Sequence, residues 1–165
     1  MKIVLPEDFF KILNNCHLLL DTSVFIDSSI NPVEFGNFFN QLRANDITLV
    51  TIDPVIVEFL KGSPSPEKFN AKQSAVSEIT GTNLPLTSDI FDSVKLLVIL
   101  YKEEGKSLSL TDLLLGASLM QYEKGLYLLT KNVTDFPTNI FNLATHLNLL
   151  HRKAIQSYGV YNFTK

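Results

Sequence analysis

The run His17-Leu18-Leu19-Leu20 is apolar without alternation and stops at Asp21. A half-exposed strand alternates, so consecutive apolar residues mark a central strand covered on both faces, the usual situation of parallel strands in α/β proteins. Residues 47–52 read as a second strand and residues 126–129 as another short apolar one. Helical patterns fill the intervals. Residues 33–43 follow Asn31-Pro32 and carry Phe35, Phe38, Phe39 and Leu42 at helical spacing. Asp53-Pro54 predicts an N-cap with proline at the first helical position, for a helix that bears Val57 and Glu58 and ends near Gly62. Thr87-Ser88-Asp89 predicts the start of a long helix through Tyr101, and Gly105 separates it from a second over residues 111–124. Strands alternating with helices imply an α/β sandwich with a mainly parallel sheet.

The remaining segments speak less clearly. Residues 6–14 place Phe9, Phe10 and Leu13 on one face and predict a short opening helix. Residues 63–88 contain three of the seven prolines and many Ser, Thr and Asn, which predicts a surface excursion with a short helix around residues 68–79. Residues 137–150 show no decisive period, and residues 155–163 alternate, as a closing edge strand would.

With 165 residues, of which 45% are hydrophobic, the chain matches one domain over 1–165 that buries a sizeable core, with a helical extension over 1–16 and a further extension after residue 136. A net charge of -3 argues against nucleic-acid binding through bulk positive charge, leaving a local basic patch or a phosphate-neutralising metal. Cys16 is the single cysteine, which excludes an intramolecular disulfide and a cysteine-based zinc site. Apolar runs such as residues 94–101, interrupted by Lys95, fall short of the roughly 18 residues needed to span a bilayer. A cytoplasmic location is expected.

Acidic residues occupy the points where ligands gather in such a fold, outside the carboxyl ends of the strands. Asp21 ends a buried strand, where a charge needs a partner, hydrogen bonds or a metal; it is equally a good N-cap, with Thr22 and Ser23 beside it. Glu58 sits among Val55, Ile56, Val57, Phe59 and Leu60, on a helix expected to be largely buried. Asp112 opens a helix that is apolar nearly all round, and Ser109 or Thr111 is placed to cap it. Asp135 closes Thr130-Lys131-Asn132-Val133-Thr134-Asp135-Phe136, which also suits an Asx-type loop with Phe136 folded onto the core. Each acid has an ordinary structural explanation; their joint occurrence at element ends points to a cluster that holds a hard cation over a phosphodiester.

These residues resemble the PIN-domain nucleases, most closely the small prokaryotic VapC-like toxins of toxin-antitoxin pairs. The likeness runs from Leu18 to Phe136: the strand and Asp21-Thr22-Ser23-Val24-Phe25-Ile26-Asp27, then Glu58-Phe59-Leu60-Lys61-Gly62, then Leu110-Thr111-Asp112 before a small-residue apolar helix, then the segment from Leu129 to Asp135-Phe136. It implies a three-layer α/β/α sandwich with a mostly parallel, roughly five-stranded sheet. It also implies a metal-dependent ribonuclease in which Asp21, Glu58 and Asp112 ligate Mg2+ or Mn2+, leaving a 5′-phosphate and a 3′-hydroxyl. The last acidic role is filled in relatives at the position of Asn132 or at that of Asp135; because the first is an amide here, Asp135 is the acid expected, with Asn132 ligating or orienting water. Thr22 or Ser23, and Thr130, would hydrogen-bond the ligands. A cognate antitoxin that blocks the acidic pocket with a basic side chain is the partner implied for a toxin.

Substrate contacts must come from outside the acids. Lys61 and Lys131 lie beside the motifs and are candidates for RNA phosphates, with Arg43, Arg152 and Lys153 further off. The apolar faces of helices 33–43 and 87–102 suit either core packing or a surface for a homodimer or an antitoxin. His17, His146 and His151 stand away from the motifs, and none is needed as a base. A phosphotransferase using Asp21 as nucleophile is disfavoured by Ser23, where that class carries a second aspartate. A non-catalytic PIN scaffold and a nuclease of RNA maturation or decay are the other readings.

Overall fold

The computed structural model describes residues 1–151 and 154–164, so Arg152 and Lys153 lie outside the described residues. Along the chain run β1 (Lys2–Val4), α1 (Phe9–Ile12), β2 (His17–Leu20), α2 (Thr22–Ile30), α3 (Pro32–Ala44), β3 (Thr48–Thr51), α4 (Asp53–Lys61), α5 (Pro66–Ile79), β4 (Thr82–Asn83), α6 (Ser88–Glu103), α7 (Leu110–Tyr122) and β5 (Leu126–Thr130). A 3-10 turn over Val133–Asp135, β6 (Asn142–His151) and β7 (Ala154–Asn162) complete the fold. None of the helices among the described residues is long and apolar enough to cross a membrane.

The strands form one sheet of seven, ordered β1-β6-β7-β5-β2-β3-β4. Strand β2 pairs in parallel with β3 and β5, and β3 with β4. The other half is antiparallel, with β7 between β5 and β6, and β1 outside β6. The α/β class therefore stands, while the expected five strands become seven and the mainly parallel sheet becomes a mixed one. The reason is partly length: β1 and β4 are too short to leave a period in the sequence. In β6 the alternation is interrupted by a register shift between Leu143 and Thr145. The alternating strand at residues 155–163 exists as β7, but it is interior rather than an edge. Its second half, from Tyr158 to Tyr161, is buried because β5 and β6 flank it.

Both chain extensions enter this sheet. The segment expected to be a helical extension contributes the edge strand β1 and only a four-residue helix, and the segment after residue 136 supplies the β6–β7 hairpin. Central β2 justifies its pattern: Leu18, Leu19 and Leu20 are all fully buried. Helix α3 spends Phe35, Phe38, Phe39 and Leu42 on the core, which settles its apolar face as ordinary packing. Helix α6 turns Ile90, Val94, Leu97 and Tyr101 inward and leaves Phe91, Leu96, Val98 and Ile99 exposed.

Cations close two helix ends, where carbonyls lack intrahelical partners. Arg43 Nη2 donates to the carbonyls of Glu78 and Ile79, each at 2.9 Å, at the end of α5. Arg43 is therefore a helix clamp rather than a free phosphate contact. Lys72 Nζ donates to the Phe59 carbonyl at 2.7 Å near the end of α4 and lies 4.4 Å above the Phe59 ring. The expected cap of α4 shifts by one residue: Ile52 is the N-cap and Asp53 is the first helical residue, its Oδ1 accepting from Asn83 Nδ2 at 2.7 Å.

Helices α6 and α7 approach closely because residue 116 lacks a side chain. A Cβ there would stand 2.9 Å from Phe141 Cζ and 3.1 Å from Leu97 Cδ1. Replacing Gly116 by valine is expected to destabilise the protein by about 1–3 kcal/mol, the usual cost of overpacking a filled core. Urea unfolding of Gly116→Val measures this, and an unchanged midpoint would contradict the packing described.

Candidate functional site

The carboxyl ends of β2 and β5 lie side by side, and Asp21 follows the first of them. The chain leaves β2 toward α2 and β3 on one side while β5 pairs on the other, so this crevice is a switch point of the parallel half of the sheet. Asp21 is 2% exposed. Its backbone is extended, and its side chain is the N-cap of α2: Oδ1 accepts from the Thr22 amide at 2.6 Å. Oδ2 accepts from the hydroxyls of Ser23 and Thr130, each at 2.7 Å. Capping and site-building thus use the same carboxylate.

Neutral donors hold this charge. Among the described residues no Lys, Arg or His forms an ion pair with Asp21, Glu58, Asp112 or Asp135. The hydroxyls are themselves fixed: Ser23 Oγ accepts from the Lys131 amide at 3.3 Å, and Thr130 Oγ1 accepts from the Asn132 amide at 3.0 Å. Thr22 Oγ1 turns the other way and donates to Glu58 Oε2 at 2.8 Å, which ties α4 to the first turn of α2.

Glu58 itself is exposed, and α4 is amphipathic. Only Val55 and Phe59 of this helix are buried, and Val57 is 63% exposed, so the expectation of a largely buried helix is corrected. Its apolar residues are too many for one inward face, and solvent takes the rest. The partner of Glu58 is Thr22, 36 positions away in sequence.

Asp112 stands in the first turn of α7 within a reciprocal cap. Ser109 Oγ accepts from the Asp112 amide at 3.1 Å and donates to Asp112 Oδ2 at 2.5 Å. Ser109, not Thr111, is therefore the cap. Burial pushes the Asp112 carboxyl above its ordinary value of 3.8; the Ser109 bond opposes this, and the charges of Asp21, Asp135 and Glu58 add to the rise. Asp21, Asp135 and Glu58 are thus all within electrostatic reach of Asp112.

Asp135 ends the 3-10 turn after β5. Tyr101 of α6 donates its hydroxyl to the Asp135 carbonyl at 2.5 Å, and Lys106 Nζ donates to the Thr134 carbonyl at 2.8 Å, so the turn is anchored from the α6–α7 side. Burial and then the charges of Asp135 and Asp112 push the Tyr101 hydroxyl upward, which keeps it a proton donor. Phe136 folds onto the core against Phe141 and Tyr161, as the loop reading expected. The Asn132 side chain is exposed beside this turn.

The two candidate lysines part company. Lys61, in the last turn of α4, is exposed. Lys131 is engaged: its Nζ lies 3.1 Å from Asp27 Oδ2 and 3.3 Å from Oδ1. Asp27, 8% exposed, also accepts from the Tyr158 hydroxyl at 2.6 Å. Neither Asp27 nor Tyr158 stood out as a functional residue in the sequence. Asp27 left one signal, an acid following Val24-Phe25-Ile26; Tyr158 left none, because its contact spans 131 positions.

Carboxylate oxygens are the donors that Mg2+ and Mn2+ prefer, and four acids that form no ion pair with a described Lys, Arg or His suit such an ion chemically. Among the described residues, however, no three acidic, imidazole or thiol side chains stand together at the spacing a single ion needs. The donor chemistry fits the ion, while the positions of these side chains do not yet enclose one.

The raised Asp112 carboxyl has a consequence for stability. Folding favours its protonated form, so its contribution is complete below the ordinary carboxyl range and is lost as pH rises through the folded-state value. In metal-free buffer, Asp112→Asn keeps an acceptor for Ser109 and removes the charge. It is expected to melt at a higher temperature than the parent at neutral pH, with the gap closing as pH falls toward 3.8. Thermal melts in EDTA across this range test the sign; a parent as stable as the variant at pH 7 would contradict it.

No protein-family model matches this chain, and no curated protein matches it.

Proposed function

We propose that this chain is a divalent-metal-dependent ribonuclease of the PIN-like kind, with a three-layer α/β/α arrangement and an acidic site formed by Asp21, Glu58, Asp112 and Asp135. The observation that carries the reading is the environment of Asp21: a buried carboxylate in the crevice between two parallel strands, satisfied among the described residues by neutral donors, and one of three acids, with Glu58 and Asp135, whose charges act on Asp112. Capping α2 accounts for the hydrogen bonds of Asp21 by itself; what the metal reading adds is a role for the further acids whose charges converge there.

The four acids would hold Mg2+ or Mn2+. The chemistry such an ion supplies is acidification of a water and neutralisation of charge developing on the phosphodiester. The chain's own residues do the rest. Thr22, Ser23 and Thr130 fix the orientation of Asp21, and Ser109 fixes Asp112. Thr22 keeps Glu58 at the mouth of the crevice. Asp135 fits the fourth acidic place better than Asn132 because its charge acts on Asp112 and its backbone is anchored. Lys61 is the freer cation for an RNA phosphate, since Lys131 is paired with Asp27. An RNA backbone that loops into the crevice is the substrate we favour. A role as a toxin with a cognate antitoxin, and a role in RNA decay, share this chemistry; a small antitoxin gene beside this one would separate them.

The test is cleavage of total cellular RNA by the purified protein. Cleavage is expected with Mn2+ or Mg2+, to stop in EDTA, and to fall in Asp21→Asn by more than about 100-fold, beyond the loss typical of an outer-shell partner. Cleavage that survives in EDTA or in the variant would contradict the proposal. A folded protein that binds Mn2+ and cuts nothing would favour the scaffold reading.

A further inference from the structure

Beneath the acidic crevice lies a second, sequence-distant constellation. The Tyr158 ring of β7 is 1% exposed, and its hydroxyl stands 2.6 Å from Asp27 Oδ2 and 3.2 Å from the Ser23 carbonyl. Asp27 is the residue to which Lys131 Nζ turns, at 3.1 Å. The Lys131 amide in turn donates to Ser23 Oγ, and Ser23 Oγ donates to Asp21 Oδ2. The contacts close on themselves: Tyr158 holds Asp27 and the Ser23 main chain, Asp27 holds the Lys131 side chain, and the Lys131 main chain holds the hydroxyl that orients Asp21.

We propose that Tyr158 is a positioning residue for the acidic site, acting through Asp27, Lys131 and Ser23 to fix the Asp21 carboxylate; this rests on the metal reading given above. The β6–β7 hairpin is thereby part of the site although it contributes none of its acids. Burial, and then Asp27, push the Tyr158 hydroxyl upward, so it keeps its proton and acts as a donor. Asp27 in turn neutralises Lys131. An ammonium whose own main chain borders the site is thus engaged away from Asp21, where it would compete with a cation. Hydrogen-bond partners that orient a ligating carboxylate commonly contribute 10–100-fold in metal affinity.

Titration of Mn2+ into the full chain, with free ion followed by electron paramagnetic resonance, reads this directly. Tyr158→Phe retains the ring and removes only the hydroxyl, and its dissociation constant for Mn2+ is expected to rise by about 10-fold. In a Ser23→Ala background the same change is expected to add less than about 2-fold, because both act along one path. Asp27→Asn keeps the side chain's size and is expected to lose about as much, which decides the matter if Tyr158→Phe does not fold. Wild-type affinity in the folded single variants, or losses that multiply independently, would overturn the positioning role while leaving the metal reading intact. A wild-type chain that binds no Mn2+ would overturn both.

Discussion

A carboxylate buried at the end of the central strand organises this molecule. Asp21 must leave water because β2 is covered on both faces, and an isolated charge in such a place costs several kcal/mol unless it is fully hydrogen-bonded or matched. The chain meets that demand with an amide and two hydroxyls, drawn from the first turn of α2 and from the end of β5. The same bonds hold the two parallel strands and their following loops in register at the crevice. Structural need and site geometry are therefore one arrangement.

From that point the supports radiate outward. Ser23 and Thr130 accept from the amides of Lys131 and Asn132, which fixes the start of the segment that leads to Asp135. Thr22 reaches α4 and Glu58, Ser109 holds Asp112, and Tyr101 and Lys106 pin the 3-10 turn from the α6–α7 side. Asp21, Glu58 and Asp112 are held by neutral groups, while Arg43 and Lys72 serve helix ends, Lys106 holds the Thr134 carbonyl and Lys131 pairs with Asp27. Removing cations from an acidic crevice leaves its negative field unspent, which is the electrostatic condition for attracting a metal.

What was legible in the sequence was what is local. The apolar block at Leu18 to Leu20, the helix-period phenylalanines of α3, and the start signals at Asp53-Pro54 and Thr87-Ser88-Asp89 all encode structure within a few residues, and their elements were found. Asp21, Asp112 and Asp135 were visible because each sits at an element boundary. The sheet's antiparallel half was less legible, since β1 and β4 are only a few residues long and β6 breaks its own alternation. The environment of Glu58 was misread because a helix rich in apolar residues is not thereby buried: Val57 faces solvent. Tyr158 and its link to Asp27 were invisible, because no local pattern announces a hydrogen bond between residues joined only by the fold.

If a divalent cation completes the acidic crevice, as proposed, ligand-linked stability reveals it without any assumption about substrate. A cation that binds only the folded chain stabilises it by about 2.7 kcal/mol at a hundred times its dissociation constant. Thermal unfolding should therefore shift upward with added Mn2+ or Mg2+ in the parent chain and remain unmoved in Asp21→Asn, with Ca2+ and ionic-strength controls alongside. Equal responses in the two proteins, or no response in the parent, would contradict the account.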